Sequence, residues 1–401
     1  MNQNMKFYGP VRRFEIQLEP SAQGSAIIER GIRIFRDRIA KRCAATLSAR
    51  QPGFTITLSV DTSIGDQGFR ICSDAASASI VGNCELAVLY GLGKFLHTSG
   101  YTSDGFHPSC WQGMSVPTSP FRTIQMDTHF CNFYHMAPEH ELREYVEDLV
   151  LWGINHFEVV FPLIDLRDWD DPEVDRITGQ IRIIHDAAKA LGVKFGMEIV
   201  PNQDFVVQNE AIKAQPCVGR PGGKNGHNIC PNAPGAVDYI LSTTYGEIFR
   251  HLKRNGVKLD FVCFWPYDEG GCGCEKCTPW GANGYLMICK AVLAELKKEN
   301  PNVEVILSTW MFDTFRTVVE ETTGATEEWE AFAKAIENDH DWVDYLLADG
   351  HGDFPEYPLK NGVPGGLPMI NYPEISMYKL HPWGVYGANP LPEHLRSFGC
   401  R

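Results

Sequence analysis

The sequence predicts an α/β protein, in which a small α+β domain precedes a (β/α)8-type barrel whose last βα unit is missing. Two observations lead to this prediction. From residue 121 onward, short apolar segments alternate with longer amphipathic ones, which is the pattern of parallel strands joined by helices. Several of the apolar segments also end in carboxylates. A parallel barrel presents its functional side chains at the carboxyl ends of its strands, so acids at these positions favour a barrel over an open sheet.

Residues 1–115 are predicted to form the α+β domain. The elements are, in order, a helix within 24–50, strands at 54–60, 69–72 and 78–81, and a helix at 83–97. The helices follow from apolar residues at helical spacing, and the strands from alternation of apolar and polar residues. Residues 110–120 are rich in proline, glycine, serine and threonine. This turn-forming segment marks the predicted domain boundary.

Residues 121–401 are predicted to form the barrel domain. Its strands are placed at 123–126, 156–161, 194–199, 261–265, 303–308, 345–348 and 369–372, and its helices at 138–152, 174–191, 237–255, 283–298 and 327–338. Seven strands are one fewer than a complete barrel of this type contains. Either the domain is truncated at its C-terminus or one strand is wrongly placed. No strand is followed by a glycine-rich motif for dinucleotides or phosphates, so neither ligand class is predicted.

Composition and charge narrow the class of protein further. The chain has 401 residues, of which 44% are hydrophobic and 21% charged, as in ordinary soluble globular proteins. A net charge of −14 argues against nucleic acid or an anionic membrane as a partner. No apolar run approaches the ~20 residues of a membrane span. No secretory signal is visible at the N-terminus, and the 13 cysteines are odd in number and scattered. Reduced thiols and a cytoplasmic location are therefore expected, and the oligomeric state stays open.

The most informative segment runs from Phe261 to Cys277. It begins as an apolar strand, continues into the adjacent carboxylates Asp268 and Glu269, and ends in a loop of glycines and cysteines. Carboxylates also follow later strands, at Asp349 and Glu374. Cleavage of a glycosidic bond needs one acid to protonate the leaving oxygen and a second group to act at the anomeric carbon. These four residues are therefore the candidate catalytic groups, with Glu269 as the general acid.

Other residues at predicted strand ends are candidates for binding a sugar. They are Asp127, His129, Glu198 and Asn202, which offer hydrogen bonds to hydroxyl groups, and Trp310, whose ring offers a stacking surface. Polar groups satisfied within the core or within loops are the alternative interpretation for the first four residues. A tryptophan that only fills the core is the alternative for the last.

The cysteines form a separate pattern. Cys272, Cys274 and Cys277 have the spacing C-x-C-x-x-C, and three thiolates so close together can surround one Zn²⁺. Cys230, on the loop before the fourth strand, is the predicted fourth ligand because both loops lie at the same face of a barrel. Four thiolates leave no position for water, so such a zinc ion would be structural. A cluster of reduced loop thiols without metal is the alternative.

A family resemblance extends these predictions. The segment Ile80–Leu96, a strand leading into a helix with a Tyr-Gly pair, is similar to the end of the accessory domain in the alpha-glucuronidase and beta-hexosaminidase group of glycoside hydrolases. Asp268 and Glu269 resemble the Asp-Glu pair after the fourth barrel strand of hexosaminidases. In alpha-glucuronidases, a glutamate after strand four and two later carboxylates form the site, and Glu269, Asp349 and Glu374 match that arrangement.

The resemblance implies a TIM barrel that hydrolyses O-glycosidic bonds of a uronic-acid- or amino-sugar-containing glycan. No cofactor is implied for catalysis. In a hexosaminidase-like site, Asp268 would orient the substrate's acetamido group while Glu269 donates the proton. Two other classes stay open: a carbohydrate-binding barrel without catalysis, and a metal-dependent carbohydrate enzyme in which the acids bind a cation.

Overall fold

The computed structural model describes residues 6–129, 131–216, 227–266, 271–310, 312, 324–348 and 355–372. Two larger β-sheets are present, with six and seven strands, and a two-stranded sheet accompanies them. The chain divides into two compact units. The first comprises Met1–Ile124, Pro138–Phe157 and Ile183–Lys194, and the second Gln125–Ala137, Glu158–Arg182 and the described part of Phe195–Arg401.

The first unit contains the six-stranded sheet. Up to residue 115 the elements are β1 (Arg13–Leu18), α1 (Ala26–Arg42), β2 (Thr46–Leu47), β3 (Phe54–Val60), β4 (Phe69–Ser73), β5 (Ser77–Gly82), α2 (Glu85–His97), β6 (Gly100–Thr102), β7 (Gly105–His107) and β8 (Gly113–Ser115). The strand order is β2-β1-β3-β5-β4-β8. The predicted strands β3 to β5 and helix α2 are present, whereas β1, β2 and β6 to β8 are additional.

Helix α1 shows why the first unit folds as it does. The Ser25 side chain accepts a hydrogen bond of 3.2 Å from the Ile28 backbone N–H and so caps the first turn. Four buried apolar residues of α1 recur at helical spacing: Ile28, Ile34, Phe35 and Ile39. The helix ends at Arg42, earlier than the apolar pattern of residues 24–50 suggested. Cys43 is extended, with φ −157° and ψ 172°, and Thr46–Leu47 then pair with β1 as strand β2, so the chain leaves the helix before the pattern ends.

The core of the first unit is apolar and aromatic. Phe14, Phe35, Phe95 and Phe106 are fully buried, and their ring centroids lie 5.9–6.4 Å apart in the contacting pairs. Tilted and edge-on pairs at such distances are the favourable arrangements for aromatic rings. On β3 and β5, alternate apolar side chains are buried while their neighbours are partly exposed.

The elements from residue 123 onward alternate as predicted. They are β9 (Thr123–Met126), α3 (Phe133–Met136), α4 (Glu139–Leu151), β10 (His156–Val160), α5 (Glu173–Lys189), β11 (Lys194–Ile199), α6 (Ala236–Ser242), α7 (Tyr245–Arg254), β12 (Phe261–Phe264), α8 (Leu286–Leu296), β13 (Glu304–Ser308), α9 (Gly324–Glu337), β14 (Tyr345–Ala348), α10 (Glu356–Asn361) and β15 (Met369–Asn371). All seven predicted strands are present, and they form one sheet in sequential order. The four pairs from β11 to β15 are parallel.

Helix α4 lies in the first unit, where it packs closely against α2. A Cβ atom placed on Gly93 of α2 would lie 1.9 Å from the Leu151 carbonyl oxygen of α4, so only glycine allows this approach. Beside this contact, the buried Arg38 of α1 forms ion pairs with Glu147 at 3.1 Å and Asp148 at 2.7 Å. The guanidinium offers several donors in one plane, and it therefore satisfies both carboxylates of α4 at once.

The seven-stranded sheet is curled. Its edge strands are β9 and β15. The hydroxyl of Tyr372, directly after β15, nevertheless donates a hydrogen bond of 2.6 Å to the side-chain oxygen of Gln125 on β9. A flat sheet of seven strands would hold these edges far apart, since neighbouring strands are spaced about 4.8 Å. The described part of the sheet therefore has the shape of a barrel wall, and the complete eight-stranded barrel stays a prediction.

One predicted helix is wrong in its continuity. The segment 237–255 is interrupted after Ser242, giving α6 and α7. Thr244 has φ −99° and ψ −101°, and its hydroxyl bonds to the Ile240 carbonyl oxygen at 3.2 Å. Serine and threonine side chains compete for backbone hydrogen bonds and disfavour continuous helix. The run Ser242-Thr243-Thr244 explains the interruption. None of the helices within the described residues is long and apolar enough to cross a membrane.

Candidate active site

A polar network lies on the concave face of the seven-stranded sheet. The side-chain amide of Gln125 donates to Glu198 and, at 3.3 Å, to Asp127. Gln125 is on β9 and Glu198 on β11, so their side chains meet across the intervening strand β10. The two side chains therefore lie on the same face of the sheet, and the Tyr372–Gln125 hydrogen bond shows that this face is the concave one. Asp127 and Glu198 therefore come together at one site, as two of the predicted sugar-binding residues.

A second buried acid belongs to the same interior. Glu158 of β10 is fully buried, and burial raises the pKa of its carboxyl to about 8, with a further contribution from the negative charge of Asp127. Cys263 of β12 lies level with Glu198 in the parallel register. Burial, and then the charges of Glu158 and Glu198, raise the pKa of its thiol well above the usual range. The concave face therefore carries protonatable groups where most cores carry apolar ones.

Three aromatic rings stand beside this network, following β12, β13 and β15. The ring centroids of Trp265 and Trp310 lie 5.0 Å apart, and that of Tyr372 lies 5.2 Å from Trp265 and 5.8 Å from Trp310. The planes of Trp310 and Tyr372 are nearly perpendicular, at 87°. These residues form two apolar walls at an angle, and both indole rings are buried in the structure. Because Tyr372 also bonds to Gln125, the walls and the acid network are parts of one site.

Two further predicted sugar-binding residues have other partners. The buried His129 ring, through Nδ1, lies 2.7 Å from the Asp165 carboxylate on the loop after β10. The side chain of Asn202 is fully buried, donates to the carbonyl oxygens of Ile229 at 2.8 Å and Gly271 at 3.2 Å, and accepts from the Gly271 N–H at 3.3 Å. Asn202 therefore joins two loops. Sugar contacts by either residue stay predictions.

The predicted catalytic residues Asp268, Glu269, Asp349 and Glu374 lie outside the described residues. Their place in the sequence is nevertheless informative. They follow β12, β14 and β15 within a few residues, and β12 and β15 lead into the aromatic walls through Trp265 and Tyr372. Their assignment as acid, base or stabiliser stays a prediction.

The four predicted metal-binding cysteines come together. The sulfur atoms of Cys230, Cys272, Cys274 and Cys277 all lie within 4.8 Å of one another. Cys230 and Cys272 are buried, as is Cys277, and Cys274 is half-buried. The hydrogen bond between Cys272 and Cys277 lowers the pKa of the Cys272 thiol and raises that of Cys277. Every cysteine among the described residues is free of disulfide bonds.

Sequence reasoning missed Gln125, Glu158, Cys263 and Tyr372. Gln125 precedes Asp127 by two positions, and alternation along a strand places both on one face. Glu158 is a single carboxylate within an apolar strand, a signal for a buried functional acid. Both could have been found by attention to strand interiors as well as strand ends. Tyr372 gave no such signal, since its role depends on the curl of the sheet.

Comparison with known proteins places the fold. No family model matches the sequence, and no curated protein matches it. The structure is similar to the family 20 beta-N-acetylhexosaminidase of Streptomyces coelicolor A3(2), with a TM-score of 0.58, 12% identity, and coverage of 95% of this chain and 77% of that one.

Two other solved structures are similar. The Flavobacterium johnsoniae chitobiase gives a TM-score of 0.55 and 14% identity over 86% of this chain and 57% of that one. The beta-N-acetylhexosaminidase of Bacteroides fragilis NCTC 9343 gives 0.51 and 12% over 91% and 71%. The chain thus spans little more than half the length of the chitobiase. The likeness shows the fold. It is a mixed α/β fold built around a curled parallel sheet.

Proposed function

We propose that the chain is a glycoside hydrolase that cleaves O-glycosidic bonds of an amino-sugar-containing glycan. The observation that carries the proposal is the pair of aromatic walls joined to a partly buried acid network through the Tyr372–Gln125 hydrogen bond. Aromatic faces suit the apolar faces of a sugar ring, and carboxylates suit its hydroxyl groups. Solved structures with the same fold are named as beta-N-acetylhexosaminidases, which supports this class.

The amino sugar is preferred over the uronic acid because of the solved structures with a similar fold. They are named as a chitobiase and as beta-N-acetylhexosaminidases, and these names refer to amino sugars.

The proposed chemistry uses the predicted acids in the roles that hexosaminidase resemblance implies. Glu269 donates a proton to the glycosidic oxygen while the C1–O bond breaks, so the aglycone leaves as an alcohol. The acetamido oxygen of the substrate forms a bond to C1, and Asp268 holds the acetamido N–H. Water then adds to C1 as the bond between C1 and the acetamido oxygen breaks, and the water returns a proton to Glu269. Asp349 and Glu374 are proposed to stabilise positive charge on the sugar ring. None of these steps needs a cofactor.

The test uses the purified chain with 4-nitrophenyl N-acetyl-β-glucosaminide and 4-nitrophenyl glucuronide. We expect release of 4-nitrophenol from the first only. Glu269→Gln removes the proton donor with little change in shape, so kcat/KM on glycosides with poor leaving groups should fall by roughly 10²–10⁴-fold. Glu330→Gln is the matched control, because Glu330 is an exposed acid of helix α9. Its kcat/KM should stay at the parent value.

The outcomes separate the competing classes. Unchanged turnover in Glu269→Gln would eliminate Glu269 as the acid. A chain that binds N-acetylglucosamine oligomers in calorimetry but hydrolyses no glycoside would be a carbohydrate-binding barrel instead. Turnover of the glucuronide alone would overturn the preference for an amino sugar. Activity lost within seconds on addition of a chelator and restored by a divalent cation would favour the metal-dependent class.

A further inference from the structure

We propose that Cys230, Cys272, Cys274 and Cys277 bind one Zn²⁺ ion, and that this ion fixes the loop that follows the acid pair Asp268-Glu269. The first part stands on geometry. Sulfur atoms at the corners of a tetrahedron around zinc, with Zn–S distances of about 2.3 Å, are roughly 3.8 Å apart. The Cys230 sulfur lies 3.8 Å from that of Cys274 and 3.9 Å from that of Cys277.

The same distances exclude the other common arrangement of paired cysteines. A disulfide has its sulfur atoms about 2.05 Å apart, roughly half of what is observed between Cys230 and its neighbours. Four sulfur atoms that all lie within 4.8 Å of one another can surround a single central point. One ion of tetrahedral preference matches that arrangement, and four soft sulfur ligands favour zinc over calcium or magnesium.

The surroundings of the sulfur atoms also suit thiolates. The backbone N–H of Gln215 points at the Cys272 sulfur at 3.4 Å, and the side-chain amide of Asn232 donates to the Cys277 sulfur at 3.1 Å. N–H donors around bound thiolates orient the ligands and reduce their negative charge. The backbone turn from Cys274 to Cys277, closed by an N–H to carbonyl bond of 2.9 Å, holds the last two ligands.

The second part concerns what the ion would hold in place. Cys230 belongs to the chain between β11 and α6, whereas the other three cysteines follow β12. The two segments are already joined by Asn202, which bonds to Ile229 and Gly271, and by the Gly273 N–H, which bonds to the Gln215 carbonyl at 2.8 Å. An ion with ligands from both segments would lock this junction. Gly271 at φ 94° adopts a backbone conformation that glycine permits.

Gly271, the first residue of the joined segment that follows β12, lies two positions after Glu269 in the sequence. A fixed Gly271–Cys277 segment limits where the preceding acid pair can stand, because the chain between them is so short. The ion would therefore act as a positioning element for the general acid, with no open coordination site and no contact with the substrate. This role rests on the proposed function, whereas metal binding does not.

Metal analysis of the purified chain, expressed in medium with zinc and iron, tests the site itself. We expect one zinc per chain, and replacement by Co²⁺ should give the visible bands of tetrahedral cobalt thiolate. Cys274→Ser should lose the metal because it removes one of the four thiolate ligands. Cys274 is chosen because it is the half-buried ligand, so its replacement alters packing least. Cys43→Ser is the matched control, because Cys43 is also half-buried but lies in α1's C-terminal cap, and it should keep one zinc.

The positioning role is tested by changing the leaving group. A displaced general acid harms substrates with poor leaving groups more than those with good ones, which need little protonation. In Cys274→Ser, kcat/KM should fall at least about tenfold more for an alkyl than for a dinitrophenyl N-acetylglucosaminide. An equal fall for both would leave a purely structural ion and would overturn the positioning role.

The remaining outcomes are distinct from failure of the proposed function. A parent chain without metal, or with one iron instead of zinc, would overturn the zinc site whether or not the chain is active. If Cys274→Ser does not fold, stoichiometric zinc release on titration of the parent's thiols with a mercurial reagent decides the same question. One bound zinc in a chain without glycosidase activity would keep the metal site and remove the hydrolase.

Discussion

Both large sheets bury apolar side chains, but the seven-stranded sheet buries carboxyl groups as well. The six-stranded sheet of the first unit buries apolar side chains beneath helices, among them Phe14, Phe54 and Ile80. The seven-stranded sheet buries Glu158 and Glu198 on its concave face. Burial of an apolar ring stabilises a fold, whereas burial of a carboxyl group costs free energy. The buried carboxyl groups therefore cost the second core part of the stability that its apolar residues contribute.

The largest expected effect on this comparison comes from the aromatic core. Phe95→Ala removes a ring that contacts Phe35, Phe54 and Phe106, and it should lower the free energy of unfolding by about 3–5 kcal/mol. Urea titration measures that loss. The turnover per folded molecule should be unchanged. A fall in kcat for correctly folded protein would show that the first core does more than stabilise.

A change at Glu158 should alter the pH dependence of stability. Burial gives the folded carboxyl a pKa of about 8, against an ordinary value of 4.5. Between these values the folded state binds a proton that the unfolded state has lost, so the stabilisation is complete below about pH 4.5 and is lost as the pH rises toward 8. The slope from this one group is at most about 1.4 kcal/mol per pH unit.

Glu158→Gln removes that contribution because glutamine does not titrate. Free energies of unfolding at pH 5 and pH 8 should therefore differ less in the variant than in the parent. Glu210→Gln removes an exposed loop carboxylate and controls for the change in net charge. Identical slopes in the parent and Glu158→Gln would contradict the raised pKa and would weaken the contrast between the two cores.

The smallest expected effect concerns the contact between the edge strands. Tyr372→Phe keeps the ring that faces Trp265 and Trp310 but removes the hydroxyl that donates to Gln125. The loss of one such bond should cost about 0.5–1.5 kcal/mol of stability. Thermal denaturation of the variant beside Tyr101→Phe, which removes another half-buried tyrosine hydroxyl bond, measures it. A larger loss than in the control would show that the barrel wall depends on this closure.

The fold was predictable where the sequence period carries the information. Buried parallel strands are short apolar runs, and the runs at 261–265 and 345–348 became β12 and β14 almost unchanged. Residues 237–255 were predicted as one helix because period alone does not register how Thr244 competes for backbone bonds. Strands of two or three residues, such as β2 and β8, have too few positions to show any period.

The site was predictable only in part. The cysteine cluster was predictable from spacing, because the pattern C-x-C-x-x-C places three thiols within six residues of one loop. Asp127 and Glu198 followed from their position at strand ends. Gln125, Glu158 and Tyr372 did not, because their importance comes from the curl that brings β9 across from β11 and β15. Curl is a property of the whole sheet and cannot be predicted from the residues of a single strand.

The hydrogen bonds of Gln125 have a direction. Its side-chain oxygen accepts from Tyr372, so the amide nitrogen is turned toward the carboxylates of Glu198 and Asp127. The Tyr372 hydroxyl donates to Gln125, and the Gln125 amide donates to the two acids. The opposite direction is not possible while both acids are ionised, because a carboxylate only accepts hydrogen bonds. If a ligand oxygen accepted the hydrogen bond of the Tyr372 hydroxyl instead, the side-chain oxygen of Gln125 would lose its donor, and the Gln125 amide could reorient. The first and last strands of the sheet are thus coupled through one side chain, and a ligand bound at the aromatic walls would alter the hydrogen bonding of Glu198 on the same concave face.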